Sequence, residues 1–286
     1  MRWKPGNTSR DIEDRRGMSP RRLGGGRGLG IGGVVILLIL SVVFKQDFFS
    51  LLGAGGGLGG APAVEAPAGP VQTTPEEELR VKFVSFVLDS TQSYWERAFP
   101  DLGAQYVRAK LVLFRDAVES ACGFAQAATG PFYCPGDQKV YIDLSFFDEL
   151  DARFGAPGDF AQAYVLAHEI GHHVQTLLGV EGKVRRLQQS DPDGANRVQV
   201  RMELQADCLA GVWGHEAGAA GLLQEGDIEE GLGAAAAVGD DRIQKAAGAR
   251  VNPEGFTHGS SEQRMEWFRR GYRSGRVENC DTFGAR

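Results

Sequence analysis

The residue types with the clearest chemical meaning lie at residues 168–172, where the sequence reads HEIGH. On an α-helix, residues four apart share one face, so the imidazoles of His168 and His172 can reach one metal ion. Glu169 is rotated by about 100° from that line, where its carboxylate can take a proton from a water beside the metal. Catalytic zinc needs neutral imidazole ligands, an open position and a base. For five residues alone, a chance match on a core helix is the alternative.

A second pair of side chains at helical spacing completes the predicted zinc site. Glu203 and Asp207 lie one turn apart in a largely apolar stretch, where a carboxylate pair is costly unless it has a role. Catalytic zinc usually takes three protein ligands, so Glu203 is the predicted third ligand. Asp207 is predicted to accept the free N–H of a ligating histidine, which fixes the tautomer of that ring. The alternative is a solvated acidic helix face.

Five stretches of the chain resemble the bacterial neutral zinc metallopeptidases, and the similarity runs from the basic N-terminus to Cys280. They read LAHEIGHHVQ at 166–175, ELQADC at 203–208, GPFYCP at 130–135, VYID at 140–143 and FTHGSS at 256–261. The Glu-x-x-x-Asp spacing also resembles the wider group of zinc peptidases with a glutamate third ligand. The resemblance implies a zincin-like catalytic domain holding one zinc ion, with the roles just described for the two histidines, Glu169, Glu203 and Asp207.

Hydrophobic periodicity predicts the elements that must position these residues. Short strands are predicted at 110–114 and 139–143, and a third can include Phe132 and Tyr133. Helices are predicted at 76–99, 159–178, 197–216, 227–245 and 260–272. Residues 181–199 are polar and are predicted to form a turn or surface loop. Strands followed by helices are typical of an α+β fold, here mostly helical.

The strand before the zinc helix has two interpretations. An extended peptide substrate needs an exposed strand edge with which to pair, and residues 140–143 are short and close in sequence to the zinc helix. The alternative is an inner strand of the core.

The N-terminal segment is basic, whereas the main part of the chain is acidic. Residues 1–30 carry eight Arg and Lys against three Asp and Glu, whereas residues 75–286 carry 22 against 32. An acidic main domain argues against contact with nucleic-acid phosphates. We therefore expect no nucleic-acid partner.

An apolar run of sixteen residues covers positions 29–44, slightly fewer than the roughly 17–25 that usually span a bilayer. No small-residue cleavage site follows it directly, which favours a retained signal anchor over a cleaved signal peptide. The positive-inside rule then puts the N-terminus in the cytoplasm and the bulk of the chain outside. The predicted order is a basic cytoplasmic tail at 1–28, a transmembrane signal anchor at 29–46, a Gly/Ala/Pro-rich linker at 47–74 and a zinc metallopeptidase domain at 75–286.

The four cysteines fit an exported domain with disulfide bonds. They allow three pairings, among which the sequence cannot choose. Proximity favours Cys122 with Cys134, which would leave Cys208 to pair with Cys280. Zinc ligation by Cys208 is the rival interpretation, although that residue lies about 100° around the helix from Asp207.

Among the five histidines, His258 is the predicted partner of the oxygen that gains charge during hydrolysis. His173 points about 100° away from His172, and His215 lies roughly 12 Å along the helix from Asp207. His258 lies in a loop just before the final helix, and catalytic residues are common on loops held by rigid elements. The alternative is that its side chain only stabilises the local turn.

These residues together predict a single-pass, membrane-anchored zinc endopeptidase outside a bacterial cytoplasmic membrane. Its substrate would be a peptide or protein, hydrolysed by a zinc-activated water with Glu169 as the base. Two alternatives stand beside it. One is a catalytically weak zinc-bound domain that binds a cell-envelope partner, and the other is an amidase acting on cell-wall peptide bonds.

Overall fold

A computed structural model describes residues 1–18 and 71–284. These residues form a four-stranded sheet, a two-stranded hairpin and eight α-helices, so the predicted α+β class is confirmed. The predicted transmembrane segment at 29–46 and most of the linker at 47–74 lie outside the described residues. In the two described ranges, no helix combines the length and the apolar character needed to cross a bilayer.

The main sheet has two inner strands with both faces covered. Its order is β1 (Ile12–Asp14), β2 (Lys110–Phe114), β6 (Lys139–Asp143) and β5 (Phe132–Cys134). The first three strands are parallel, and β5 is antiparallel to β6. Leu111 and Leu113 face the main hydrophobic core. Val112 and Phe114 pack in a smaller cluster on the other face with the hairpin of β3 (Ala117–Ser120) and β4 (Gly123–Gln126). Burial of both faces explains why β2 reads as a nearly continuous apolar run.

The helices surround one face of this sheet. They are α1 (Pro75–Ala98), α2 (Phe146–Ala152), α3 (Asp159–Leu177), α4 (Val180–Ser190), α5 (Ala195–Ala219), α6 (Asp227–Ala237), α7 (Asp240–Ala246) and α8 (Ser261–Ser274). Helix α3 contacts β5, β6, α1, α5 and α6, and α8 packs against α5. A capping box begins α8, because the Ser260 hydroxyl accepts from the Gln263 N–H and the Gln263 side chain accepts from the Ser260 N–H.

Residues 1–18 belong to the folded domain. Strand β1 extends the sheet beside β2, the indole of Trp3 lies 5.1 Å from the ring of Phe83, and the Met1 side chain is buried. The Met1 amino nitrogen lies 2.6 Å from Oδ1 of Asp159, the first residue of α3. The folded domain was expected to begin near residue 75, but it also includes residues 1–18. These residues are therefore not a separate tail.

Charge compensation explains why this basic segment adds to the sheet. Lys110 and Lys139 lie opposite each other on β2 and β6, where like charges destabilise the strand pair. The N-terminal segment supplies Asp11, whose Oδ1 lies 2.8 Å from the Lys110 ammonium, and Glu13, whose Oε1 lies 2.8 Å from that of Lys139. Its carboxylates thus pair with the lysines.

Two predictions for the helical part of the chain are wrong. Residues 181–199 were expected to be a loop, but α4 occupies most of that stretch with only Val184 buried, so its polar surface resembles that of a loop. The single helix expected at 227–245 is two helices, because the chain turns at Gly239 and the Asp240 N–H donates to the Gly259 carbonyl. Strand β6 has a partner on each side, so of its two interpretations the inner strand of the core is the one observed, and β5 lies at the edge of the sheet beside it.

Candidate metal centre

Two helices that approach closely bring the predicted ligands together. Helix α3 carries His168 and His172, and α5 carries Glu203 and Asp207. At the crossing, a Cβ atom on Gly171 would lie 3.0 Å from the carbonyl oxygen of Ala206 and 3.2 Å from its Cα. A side chain at that position would push the helices apart. The close approach accounts for a glycine inside a buried helix, where it otherwise costs roughly 1 kcal/mol.

Three donor atoms converge at this crossing. The Nε2 atom of His168 lies 3.2 Å from Nε2 of His172 and 3.3 Å from Oε2 of Glu203. The third distance, from His172 Nε2 to the same carboxylate oxygen, is 3.4 Å. His168 and Glu203 are buried, and the His172 side chain is 12% exposed.

Hydrogen bonds on the far side of each ring leave lone pairs facing the centre. Nδ1 of His168 lies 2.8 Å from Oδ1 of Asp207, and Nδ1 of His172 lies 2.9 Å from Oε1 of Gln175. Both oxygens are acceptors, so when the rings are neutral each Nδ1 carries the ring proton. In that form the two Nε2 lone pairs and the Glu203 carboxylate repel one another unless a cation lies between them.

These donors fit zinc. Atoms bound to one tetrahedral zinc at 2.0–2.1 Å lie about 3.3 Å apart, which matches the three observed separations. Two imidazole nitrogens and one carboxylate oxygen are also a usual ligand set of catalytic zinc, with a fourth position left for water. The three side chains could therefore hold one zinc ion.

Each ligand is also held from outside the centre. The Gln175 amide donates to the Met202 carbonyl and to the Gln205 side chain, which fixes the oxygen that faces His172. The Gln199 amide donates to Oε1 of Glu203 at 3.0 Å, leaving Oε2 directed at the histidines. Such contacts orient metal ligands and are expected around a zinc site.

Asp207 lies in a buried network that includes two residues not predicted from the sequence. Tyr164 on α3 and Arg264 on α8 both donate to its carboxylate. Burial alone would raise the pKa of Asp207, but the charges of Arg264 and His168 outweigh it and lower the pKa to about 2. Arg264 follows Asp207 by 57 residues, so no local spacing connects them. The apolar surroundings of Asp207, which call for a cationic partner, were the available signal.

The Glu169 side chain has no protein partner among the described residues. The residue is 8% exposed, and across residues 1–18 and 71–284 no hydrogen bond or ion pair engages its side chain. It is one position past His168 on α3. A mostly buried carboxylate that is free to accept a proton is what a general base requires.

His258 sits on a loop that two helices support. Asp240, the first residue of α7, accepts the backbone N–H groups of Thr257, His258 and Gly259 through Oδ2. Its Oδ1 lies 3.2 Å from Nδ1 of His258. Gly259 has a φ of +96°, and a Cβ there would lie 3.3 Å from the Leu204 side chain, so the loop packs directly against the helix of Glu203.

The charge and exposure of His258 suit a group at the rim of the centre. Its side chain is 51% exposed. Partial desolvation lowers the pKa of His258, but the hydrogen bond that its Nδ1–H donates to Asp240 and the charge of Glu203 outweigh that effect and raise the pKa above its ordinary value.

The other histidines and the cysteines have structural contacts. His173 lies between the Tyr133 hydroxyl and the Val107 carbonyl, and His215 contacts the Tyr272 carbonyl. The disulfide bonds are those favoured by proximity, Cys122–Cys134 and Cys208–Cys280, and this pairing is confirmed. Cys208 therefore has no thiolate to offer a metal.

Two histidines and a glutamate on α3, with a further glutamate on α5, match the residue pattern of zinc metallopeptidases. The chain belongs to the family described as "Putative neutral zinc metallopeptidase", whose model matches residues 1–283. That match spans the N-terminal segment as well as both ligand helices. The family predicted from the sequence motifs is thus confirmed.

The relatives extend over different shares of the chain. "Uncharacterized protein YpfJ" of Escherichia coli strain K12 is 46% identical, covering 99% of this chain and 99% of its own. "Uncharacterized protein Rv2575" of Mycobacterium tuberculosis strain H37Rv is also 46% identical, covering 69% of this chain and 68% of its own. No solved structure matches the chain.

Zinc binding should release about one proton at neutral pH. In the metal-free protein, burial lowers the pKa of His168, but Asp207 and Glu203 outweigh it and raise the pKa to about 9. This ring is therefore protonated at neutral pH and must lose its proton to become a ligand. Calorimetric titration with zinc, in buffers of different ionisation enthalpy, measures the protons released.

Apparent zinc affinity should accordingly rise about tenfold per pH unit up to about pH 9 and then level off. Asp207→Asn removes the charge that raises this pKa, so it should release fewer protons at neutral pH. Zinc binding without proton release in the wild-type protein would contradict the assignment.

Proposed function

We propose that this protein is a zinc-dependent endopeptidase. One observation carries the proposal: three donor atoms converge at 3.2–3.4 Å, and Glu169, next to His168 on the same helix, has no side-chain hydrogen bond or ion pair among the described residues. A structural zinc site is normally closed by four protein ligands. Among the described residues, the only ligand atoms that converge here are those of His168, His172 and Glu203, which favours a site that leaves a position for catalysis.

Glu169 is the proposed general base and acid of peptide hydrolysis. When bound, zinc would supply a Lewis acid that activates water and polarises the peptide carbonyl. The Glu169 carboxylate takes a proton from the attacking water and then donates it to the leaving amine nitrogen.

His258 is the proposed donor to the substrate oxygen that gains negative charge. An imidazolium donates from both nitrogens: Nδ1–H to Asp240 and Nε2–H to the carbonyl oxygen. Asp240 favours this charged form and holds the ring through the same carboxylate that organises the loop backbone. A donor already in position stabilises the charge without reorganising during the reaction.

The proposed substrate is an extended peptide that pairs with β5. This strand is at the edge of the sheet and contacts α3, the helix of the base. Backbone hydrogen bonds to a strand edge hold a peptide without selecting its side chains. The Cys122–Cys134 bond ties the end of β5 to the β3–β4 hairpin and stiffens this edge.

We also propose that the folded domain lies outside the cytoplasmic membrane. Both disulfide bonds favour an oxidising compartment. The pairing of β1 with β2 supports the same location for the N-terminal segment, because residues joined in one sheet lie on one side of a membrane. A segment that crossed the membrane once at 29–46 would separate residues 1–18 from the rest of the sheet, so the predicted single crossing does not fit this strand pairing. The cytoplasmic location expected for residues 1–18 does not fit this strand pairing.

Glu169→Gln should lower the turnover of a peptide library by roughly 10²–10⁴-fold, because the amide cannot accept the proton of water. Zinc content should stay at the wild-type level, since Glu169 is not a ligand. Fragment release is measured by mass spectrometry, with zinc content determined in parallel.

Glu225→Gln, which changes an exposed carboxylate outside the centre, is the matched control and should cleave like the wild type. Equal cleavage by the Glu169→Gln variant would disprove its role as the base. A wild-type protein that binds zinc but releases no fragments would favour the alternative of a zinc-bound binding domain.

His258→Ala should lower turnover by roughly 10²–10³-fold with zinc content intact, the size typical of losing one oxyanion donor. Because the pKa of His258 is raised above 6.5, wild-type activity should persist above that pH and decline as the ring loses its proton. The variant should lack this alkaline decline. Rates are measured across pH for both proteins, and an unchanged rate would assign His258 to the turn alone.

A cysteine-labelling experiment tests the location of the N-terminal segment. Thr8→Cys and Ser190→Cys place single thiols at exposed positions in the segment and in α4 of a protein whose described cysteines are all in disulfides. We expect a membrane-impermeant maleimide to label both variants in intact cells. Labelling of Ser190→Cys alone would support the predicted cytoplasmic location of the N-terminal segment. Labelling of neither variant would indicate that the whole domain lies in the cytoplasm.

A further inference from the structure

The guanidinium of Arg264 is buried beside the zinc ligands although it lies on neither ligand helix. The residue is 3% exposed and belongs to the first turns of α8. Its Nε donates to Oδ2 of Asp207 at 2.8 Å, and its Nη2 donates to Oδ1 at 2.9 Å. These two parallel bonds hold the carboxylate by both oxygens, which prevents it from rotating.

The held carboxylate is the group that orients His168. Oδ1 of Asp207 accepts from Nδ1 of His168 at 2.8 Å and from the Tyr164 hydroxyl at 2.5 Å. Nη2 of Arg264 also lies 3.3 Å from Nδ1 of His168. Both of these nitrogens carry protons, so the contact is not a hydrogen bond and the imidazole proton can point only at Asp207. The ring is then fixed with Nε2 toward the other ligands.

Arg264 is itself anchored at the end of α6. Its Nη1 donates to the Val238 carbonyl at 3.2 Å. The start of α8 is fixed to the same region, because the Ser261 hydroxyl donates to the Ala236 carbonyl and to Asp241. The Arg264 side chain thus extends to Asp207 from a rigid part of the fold. Its planar guanidinium can form two parallel hydrogen bonds with a carboxylate, which a lysine ammonium cannot.

We propose that Arg264 is a positioning residue of the zinc site, which acts through Asp207 on the ligand nitrogen of His168. It makes no contact with the metal. This role rests on the zinc site of the proposed function but not on peptidase activity, because its effect is on metal affinity.

The test is a double-mutant comparison of zinc affinity, measured by competition with a chromogenic chelator and without any peptide. Arg264→Gln should weaken zinc binding by roughly tenfold to a hundredfold, the range typical for loss of a group that orients a ligand. Asp207→Asn should weaken it by a similar factor. If Arg264 acts through Asp207, the double variant binds zinc no more weakly than Asp207→Asn alone.

Two further variants separate positioning from general destabilisation. Arg264→Lys keeps the charge but not the paired geometry, so its zinc affinity should lie between those of wild type and Arg264→Gln. It also provides the measurement if Arg264→Gln does not fold. Arg16→Gln removes another buried, ion-paired arginine, at 3% side-chain exposure, beside Asp14 and Glu77. This control should lower the unfolding temperature but leave zinc affinity within about twofold of wild type.

Three results would overturn the role of Arg264. They are wild-type zinc affinity in Arg264→Gln or Arg264→Lys, full additivity of the Arg264→Gln and Asp207→Asn losses, and an equal loss of affinity in Arg16→Gln. None of them depends on whether the protein cleaves peptides, and inactivity of the wild-type protein would leave the expected zinc affinities unchanged.

Discussion

Burying a carboxylate costs free energy unless hydrogen bonds and opposite charge compensate for it, and Asp207 has no exposed surface. Its partners come from two other helices: α3 supplies His168 and Tyr164, and α8 supplies Arg264. Helix α5 can bury this carboxylate only where both neighbours present those donors. The packing of three helices and the orientation of the His168 ring are therefore a single arrangement. A change that separates these helices would leave an uncompensated charge as well as a displaced ligand.

The parts of the chain most distant in sequence support the same centre. From His172, hydrogen bonds lead through Gln175 and Gln205 to the carbonyl of Cys280, whose disulfide bond returns to α5 beside Asp207. At the other end, residues 1–18 add a strand to the sheet against which α3 packs. Both ends of the described chain therefore constrain the ligand helices, which is consistent with a family match that extends over residues 1–283.

Elements with a strong local signal were predicted closely. The inner strands are apolar on both faces, the final helix has a capping box, and the zinc helix has a long apolar face, so each was recognisable within its own segment. Elements that depend on distant partners were not. Strand β1 is three residues long in a basic, polar stretch and forms only because β2 offers an edge. The break at Gly239 similarly depends on a loop twenty residues later, whose carbonyl receives the Asp240 N–H.

The sequence by itself determined the donor set, because helical spacing puts residues four apart on one face whatever surrounds the helix. It thereby identified His168, His172, Glu203 and Asp207, and the family to which the chain belongs. Only the tertiary structure decided that Arg264 compensates the charge of Asp207, that β6 is an inner strand with β5 at the edge beside it, and that residues 1–18 add a strand to the same sheet. These features join residues far apart in the chain. Such contacts follow from how helices and strands pack, and no periodicity of residue types within one segment of the sequence predicts them.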